Sequence, residues 1–88
     1  MKGLLHELGR RWSYSILGVV YERDSVYFNE LKKALEGIPP KTLSDRLRGL
    51  VKEGLMRRKY VFEQGRHRTE YTLTEKGVAI YETILSWK

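Results

Sequence analysis

With 88 residues, no cysteine and a formal net charge of +6, the chain has the length of one domain with a small core, and no means of closing a disulfide or a thiolate metal site. A composition of 41% hydrophobic and 32% charged residues excludes a disordered tail and suits a folded domain with a charged surface. No apolar run exceeds the six residues 16–21, far short of a membrane span. His6 and Glu7 interrupt the apolar stretch that a signal peptide would need, so a cytoplasmic location is expected.

In chain order, Leu4, Leu5 and Leu8 followed by Trp12, Ile16, Val19 and Val20 recur at three- and four-residue spacing, the period of a helix. Gly9, Arg10 and Arg11 break this pattern into a short first helix and a longer second one. The second is apolar around most of its circumference, which predicts a central, buried element. Val26, Tyr27 and Phe28 form a short β-prone run after the turn residues Asp24 and Ser25. Asn29 is placed to cap a helix through Leu35 that ends at Gly37. Pro39 and Pro40 open a further helix over residues 40–53, closed by Gly54.

Residues 55–62 and 68–73 then predict two strands around a turn at Gly65. With Gly65-Arg66 as the two-residue loop, Glu63 faces Arg68 and Tyr60 faces Tyr71, and Met56, Tyr60, Tyr71 and Leu73 share the buried side. Thr74 caps a last helix over residues 75–87, with Glu75 in its first turn. The expected fold is α+β, mainly α: a single winged helix-turn-helix domain over residues 1–88 in the order α-α-β-α-α-β-β-α.

The charge is concentrated. Residues 41–68 hold nine Lys and Arg against three acids, a surplus of six, while the other sixty residues balance to zero. A basic patch on a helix followed by a hairpin is the footprint of a surface that binds a polyanion, and both shapes fit DNA grooves. In the 40–53 helix, Leu43, Leu47, Leu50 and Val51 fall on one arc and belong to the core. The opposite arc carries Lys41, Thr42, Asp45, Arg48, Gly49 and Lys52, with Ser44 and Arg46 on its shoulders.

Thr42 and Ser44 suit phosphates or base edges, and Arg48 can fork onto a guanine. Asp45 has two readings. It accepts from a cytosine amine, or it pairs with Lys41 or Arg48 and orients them. In the hairpin, Arg66 and Arg68 suit the flanking minor groove or its phosphates, and Arg57 and Lys59 suit phosphates along the strand. The last helix has an apolar arc of Val78, Ile80, Tyr81, Ile84, Leu85 and Trp87, about 180° wide where roughly 100° suffices for packing on one core. A homodimer interface over residues 1–9 and 75–88, using Leu4, Leu5, Leu8, Ile80, Ile84 and Trp87, accounts for the excess.

Three stretches, GRRWSYSIL, FNELKKALEGIPPKTLSDRLRGLVKEGLMRR and RTEYTLTEKG, occur in this order over roughly residues 9–80. Together they resemble the HxlR-type branch of winged helix regulators, which is similar to the broader MarR and PadR groups. The resemblance implies a homodimeric transcription factor that reads duplex DNA with the 40–53 helix in the major groove and the 63–68 wing alongside. It also implies dimerisation through the N- and C-terminal helices. Many members carry an N-terminal cysteine that senses oxidants or electrophiles. This chain has none, which excludes redox sensing by a thiol.

Enzyme and metal readings lack parts. His6 and His67 are single and distant, without cysteine partners, so neither a zinc site nor any cofactor is expected. There is no Gly-rich phosphate loop and no nucleophile elbow. The alternative from another class is a winged-helix module that binds protein or RNA within a larger assembly. The concentrated basic surplus argues against the protein version, and the charge argument does not separate RNA from DNA.

Overall fold

The structure, a computed structural model, describes residues 11–87, with side chains from Trp12 onward. The elements run α1 (Arg11–Arg23), β1 (Ser25–Tyr27), α2 (Phe28–Ala34), α3 (Pro40–Lys52), β2 (Met56–Glu63), β3 (Arg66–Leu73) and α4 (Glu75–Ser86). The three strands form one antiparallel sheet in the order β1-β3-β2, with β3 in the centre. This is the winged helix-turn-helix: α2 and α3 are the paired helices and the β2–β3 hairpin is the wing. The expected first helix, with Leu4, Leu5 and Leu8, lies outside the described residues. Among the described residues no helix is long and apolar enough to cross a membrane.

As its all-round apolar pattern predicts, α1 is central and contacts α2, α3, α4 and the sheet. Ile16, Leu17 and Val20 are fully buried. Leu43, Leu47 and Leu50 line the inner face of α3 beside Leu31, Leu35 and Ile38. Each buried leucine contributes about 1.5–3 kcal/mol, so three on one face fix the rotation of α3 and turn its polar arc outward.

The end of α3 is closed by a pair of backbone hydrogen bonds: Leu55 N–H donates to Leu50 O and Gly54 N–H to Val51 O, both at 3.0 Å. This motif needs a left-handed residue after the helix, and Gly54 supplies it with φ 78°. Thr74 caps α4 as expected, its hydroxyl oxygen accepting from Gly77 N–H at 3.0 Å. The same hydroxyl donates to Gly54 O at 2.6 Å.

Three expectations need correction. Asn29 does not cap α2. The helix begins two residues earlier, Tyr27 is the capping residue, and the Glu30 carboxylate accepts its N–H at 2.8 Å. The hairpin loop is Gln64-Gly65, not Gly65-Arg66, with φ of 53° and 74°. A tight turn whose twist matches the strands needs positive φ at both central residues, which this pair adopts. Glu63 therefore faces Arg66, Tyr60 faces Thr69, and Tyr71 faces Arg58.

The slip preserves the alternation of faces, so Met56, Tyr60, Tyr71 and Leu73 do share a side. Tyr60 is nonetheless 72% exposed, not buried, because the hairpin outruns the helices that cover Met56 and Tyr71.

Gly77 sits against the loop that ends α3. A Cβ there would press into the Leu55 carbonyl oxygen, well inside van der Waals contact. Gly77→Ala is expected to destabilise the fold by about 1–3 kcal/mol, the usual cost of overpacking a site that cannot yield. Urea denaturation with an unchanged m-value measures it.

Candidate nucleic-acid interface

The outer arc of α3 begins at Pro40, whose missing N–H suits a first turn. Lys41 and Arg48 are exposed, while Thr42, Ser44 and Asp45 are half-buried. Asp45 stands between the two cations: its carboxylate lies 3.7 Å from Lys41 Nζ and 3.4 Å from Arg48 Nη1, which donates to it. Of the two roles open to Asp45, the pairing is the one that the geometry displays. Lys41 and Arg48 retain 88% and 70% of their side-chain exposure, so these are solvent-screened pairs of about 0–1 kcal/mol that break at little cost. Arg46, on the shoulder, has its Nε buried without a hydrogen-bond partner among the described residues.

The wing divides its side chains by strand alternation. One face carries Arg57, Lys59, Val61 and Glu63 opposite Thr72, Glu70, Arg68 and Arg66. The other carries Arg58, Tyr60 and Phe62 beyond the covered Met56, opposite Tyr71, Thr69 and His67. Arg57 and Lys59 are exposed on the first face and separated from Arg58, which lies on the second with its guanidinium 5.7 Å from the Tyr60 ring centroid.

The two wing arginines differ. Arg66 is exposed at the tip. Arg68 lies over the Tyr27 ring, its guanidinium carbon 3.6 Å from the centroid, and pairs with Glu63 at 3.7 Å. The Tyr27 hydroxyl in turn donates to the same Glu63 oxygen at 2.9 Å, and this hydrogen bond, the largest cause, holds the phenol above its ordinary pKa. Tyr27, Glu63 and Arg68 thus brace the wing against β1. Arg66 and Arg68 face a polar cleft of about 490 Å³ shared with Asn29, Gln64 and His67. The bracing role of Tyr27 has no signature in the sequence, since its partners lie 36 and 41 residues away.

Of the residues expected to pair the chain with a second copy, Ile80, Ile84 and Trp87 are described and lie on or just after α4. On α4, Tyr81 is buried against Tyr14 and Tyr21, with ring centroids 5.4 and 4.9 Å away. Ile80 packs at the edge of the core and Ile84 is half-buried. Leu85 and Trp87 are exposed, Trp87 to 76%. The broad arc therefore has an inner half bound to the core and an outer edge left open. Among the described residues no group of three or more His, Cys, Asp or Glu is placed to hold a metal.

Known proteins share both sequence and fold with this chain. An HTH-type transcriptional regulator of Halalkalibacterium halodurans is 34% identical over 83 residues, covering 91% of this chain and 73% of that protein. Among solved structures, a MarR-family transcriptional regulator from Enterococcus faecalis V583 is 35% identical with a TM-score of 0.85, covering 94% of this chain and 74% of that one. The reduced form of the transcriptional regulator YodB from B. subtilis is 29% identical with a TM-score of 0.80, covering 99% and 86%. The sequence model described as HxlR-like helix-turn-helix matches residues 7–88. With nearly the whole length matched and the paired helices and wing in place, the chain belongs to the HxlR-like helix-turn-helix family, whose members are transcriptional regulators and not enzymes.

Proposed function

We propose that the chain is a sequence-specific, duplex-DNA-binding transcriptional regulator that acts as a homodimer. The observation that carries this reading is the placement of the basic surplus. The bases of residues 41–68 lie on the outer arc of α3 and on the projecting hairpin, two elements shaped for grooves. In this reading Lys41, Thr42, Ser44, Asp45 and Arg48 meet base edges and phosphates in the major groove. Arg57 and Lys59 meet phosphate along the wing, and Arg66 reaches the flanking minor groove. Arg68, braced on Tyr27, sets the angle of the wing more than it contacts the duplex.

The test begins with selection of bound fragments from random duplexes, followed by affinity measurements on the selected site. For a dimer that neutralises roughly 6–10 phosphates, affinity should fall about 10³–10⁵-fold between 50 and 200 mM salt. Binding that hardly changes over that range, or that structured RNA competes away better than duplex DNA, overturns the reading.

Arg48→Ala is expected to relax base preference, costing about 1–3 kcal/mol at the position it reads. Arg57→Ala should weaken selected and random DNA alike. Equal loss on both kinds of DNA from Arg48→Ala would remove that residue from the reading face.

The dimer reading rests on the outer edge of α4, where Leu85 and Trp87 stay exposed in a short chain. Two-fold pairing places the two α3 helices on inverted half-sites about 10 bp apart or a multiple of it. Polar substitution of Ile84 or Trp87 should lower the dimer fraction in light scattering and weaken binding to the full site more than to one half-site. Ile80, packed at the core edge, should lose monomer stability as well.

A further inference from the structure

The far end of the wing carries an aromatic surface that the charge argument does not explain. On the face shared with Met56 and Tyr71, the hairpin continues past the covering helices with Tyr60 and Phe62, 72% and 64% exposed. Phe62 occupies the rung next to the one that closes the turn and pairs with His67 across the strands, ring centroids 4.7 Å apart. Arg58 lies over Tyr60 on the same face. Three neighbouring rings are therefore offered to solvent on an element that otherwise presents cations: five bases against one acid over residues 56–68.

A second copy of this chain fits the face poorly. β2 is an edge strand, and pairing it with another β2 would bring together two strands that each carry Arg57, Arg58 and Lys59, a concentration of like charge that disfavours the contact. The complementary partner is a polyanion that also has apolar faces. Nucleic acid is such a partner, because sugars and base edges lie between its phosphates, and apolar side chains pressed between base steps are a recurring device of minor-groove contact.

We propose that Tyr60, Phe62 and His67 form an apolar contact surface of the wing. It packs on the sugar and base edges of the minor groove flanking the α3 site, with Phe62 as its principal anchor. This rests on the DNA-binding reading above and adds to it a part of the affinity that salt does not remove. Arg66 supplies the charge-dependent part from the opposite face of the hairpin.

The experiment compares the full chain with Phe62→Ala, Phe62→Tyr and Arg66→Ala on the selected duplex over a range of salt. Phe62→Ala should lower affinity by about tenfold, as expected for losing a buried apolar contact, and by the same factor at every salt concentration. Phe62→Tyr should restore most of the loss. Arg66→Ala should instead flatten the log affinity against log salt slope by about one. Phe62 is mostly solvent-exposed, so the thermal unfolding midpoint of Phe62→Ala should match wild type.

If Phe62→Ala binds as wild type does while wild-type binding remains steeply salt-dependent, this proposal is overturned and the DNA-binding reading stands. If wild type binds no duplex, both fall. If Phe62→Ala lowers the dimer fraction in light scattering, the aromatic face is a self-contact and the proposal fails.

Discussion

The geometry of the whole interface depends on how one helix end is satisfied. The last carbonyls of α3 have no partners within the helix, as at any helix terminus. Those of Gly49, Leu50 and Val51 are taken by the N–H groups of Glu53, Leu55 and Gly54, and the carbonyls of the loop that follows find partners across the chain. Thr74 donates its hydroxyl to Gly54 O and its N–H to Leu55 O, and Lys76 Nζ donates to Glu53 O at 3.3 Å. The Thr74 hydroxyl oxygen also accepts from Gly77 N–H, so one side chain serves the loop that ends α3 and the N-terminus of α4 together. Since β2 and β3 run between residues 55 and 74, this junction closes the base of the hairpin. The helix that carries the polar arc and the wing beside it are thereby fixed relative to each other at a single point.

Much of this was legible in the sequence. The spacing of Leu43, Leu47 and Leu50 assigned the inner face of α3, and Gly54 and Thr74 marked its end and the start of α4 because their chemistry suits those positions locally. The excess width of the α4 arc is visible on a wheel, which points to Ile80, Ile84 and Trp87. Of these only Trp87 stands exposed, with Leu85 as the other open position.

What was misread depends on competition between near-equal local choices or on distant partners. Asn29 is a better capping residue than Tyr27, yet the Glu30 carboxylate closes the backbone N–H of Tyr27 and starts the helix earlier. Gly65 fitted either of two loops, and only the willingness of Gln64 to take a positive φ decides between them. Tyr60 alternates correctly with Met56, but alternation reports which side a residue faces and not how far the covering layer extends. The contacts of Tyr27 with Glu63 and Arg68 close only when β1 lies beside β3, a pairing that no periodicity encodes.

The carboxylate of Asp45 has a further consequence. It is satisfied in the free protein by Lys41 and Arg48, so it gives the folded chain little that a neutral side chain would not. On the proposed reading face, however, it stands where phosphates approach. A sequence that offers no donor to it leaves a negative charge against a negative backbone, and Lys41 and Arg48 are then divided between the protein's own anion and the DNA's. Recognition built this way discriminates by penalising the wrong partner as well as by rewarding the right one. An acidic residue at the centre of a basic surface then lowers adhesion to DNA in general and widens the contrast between sites.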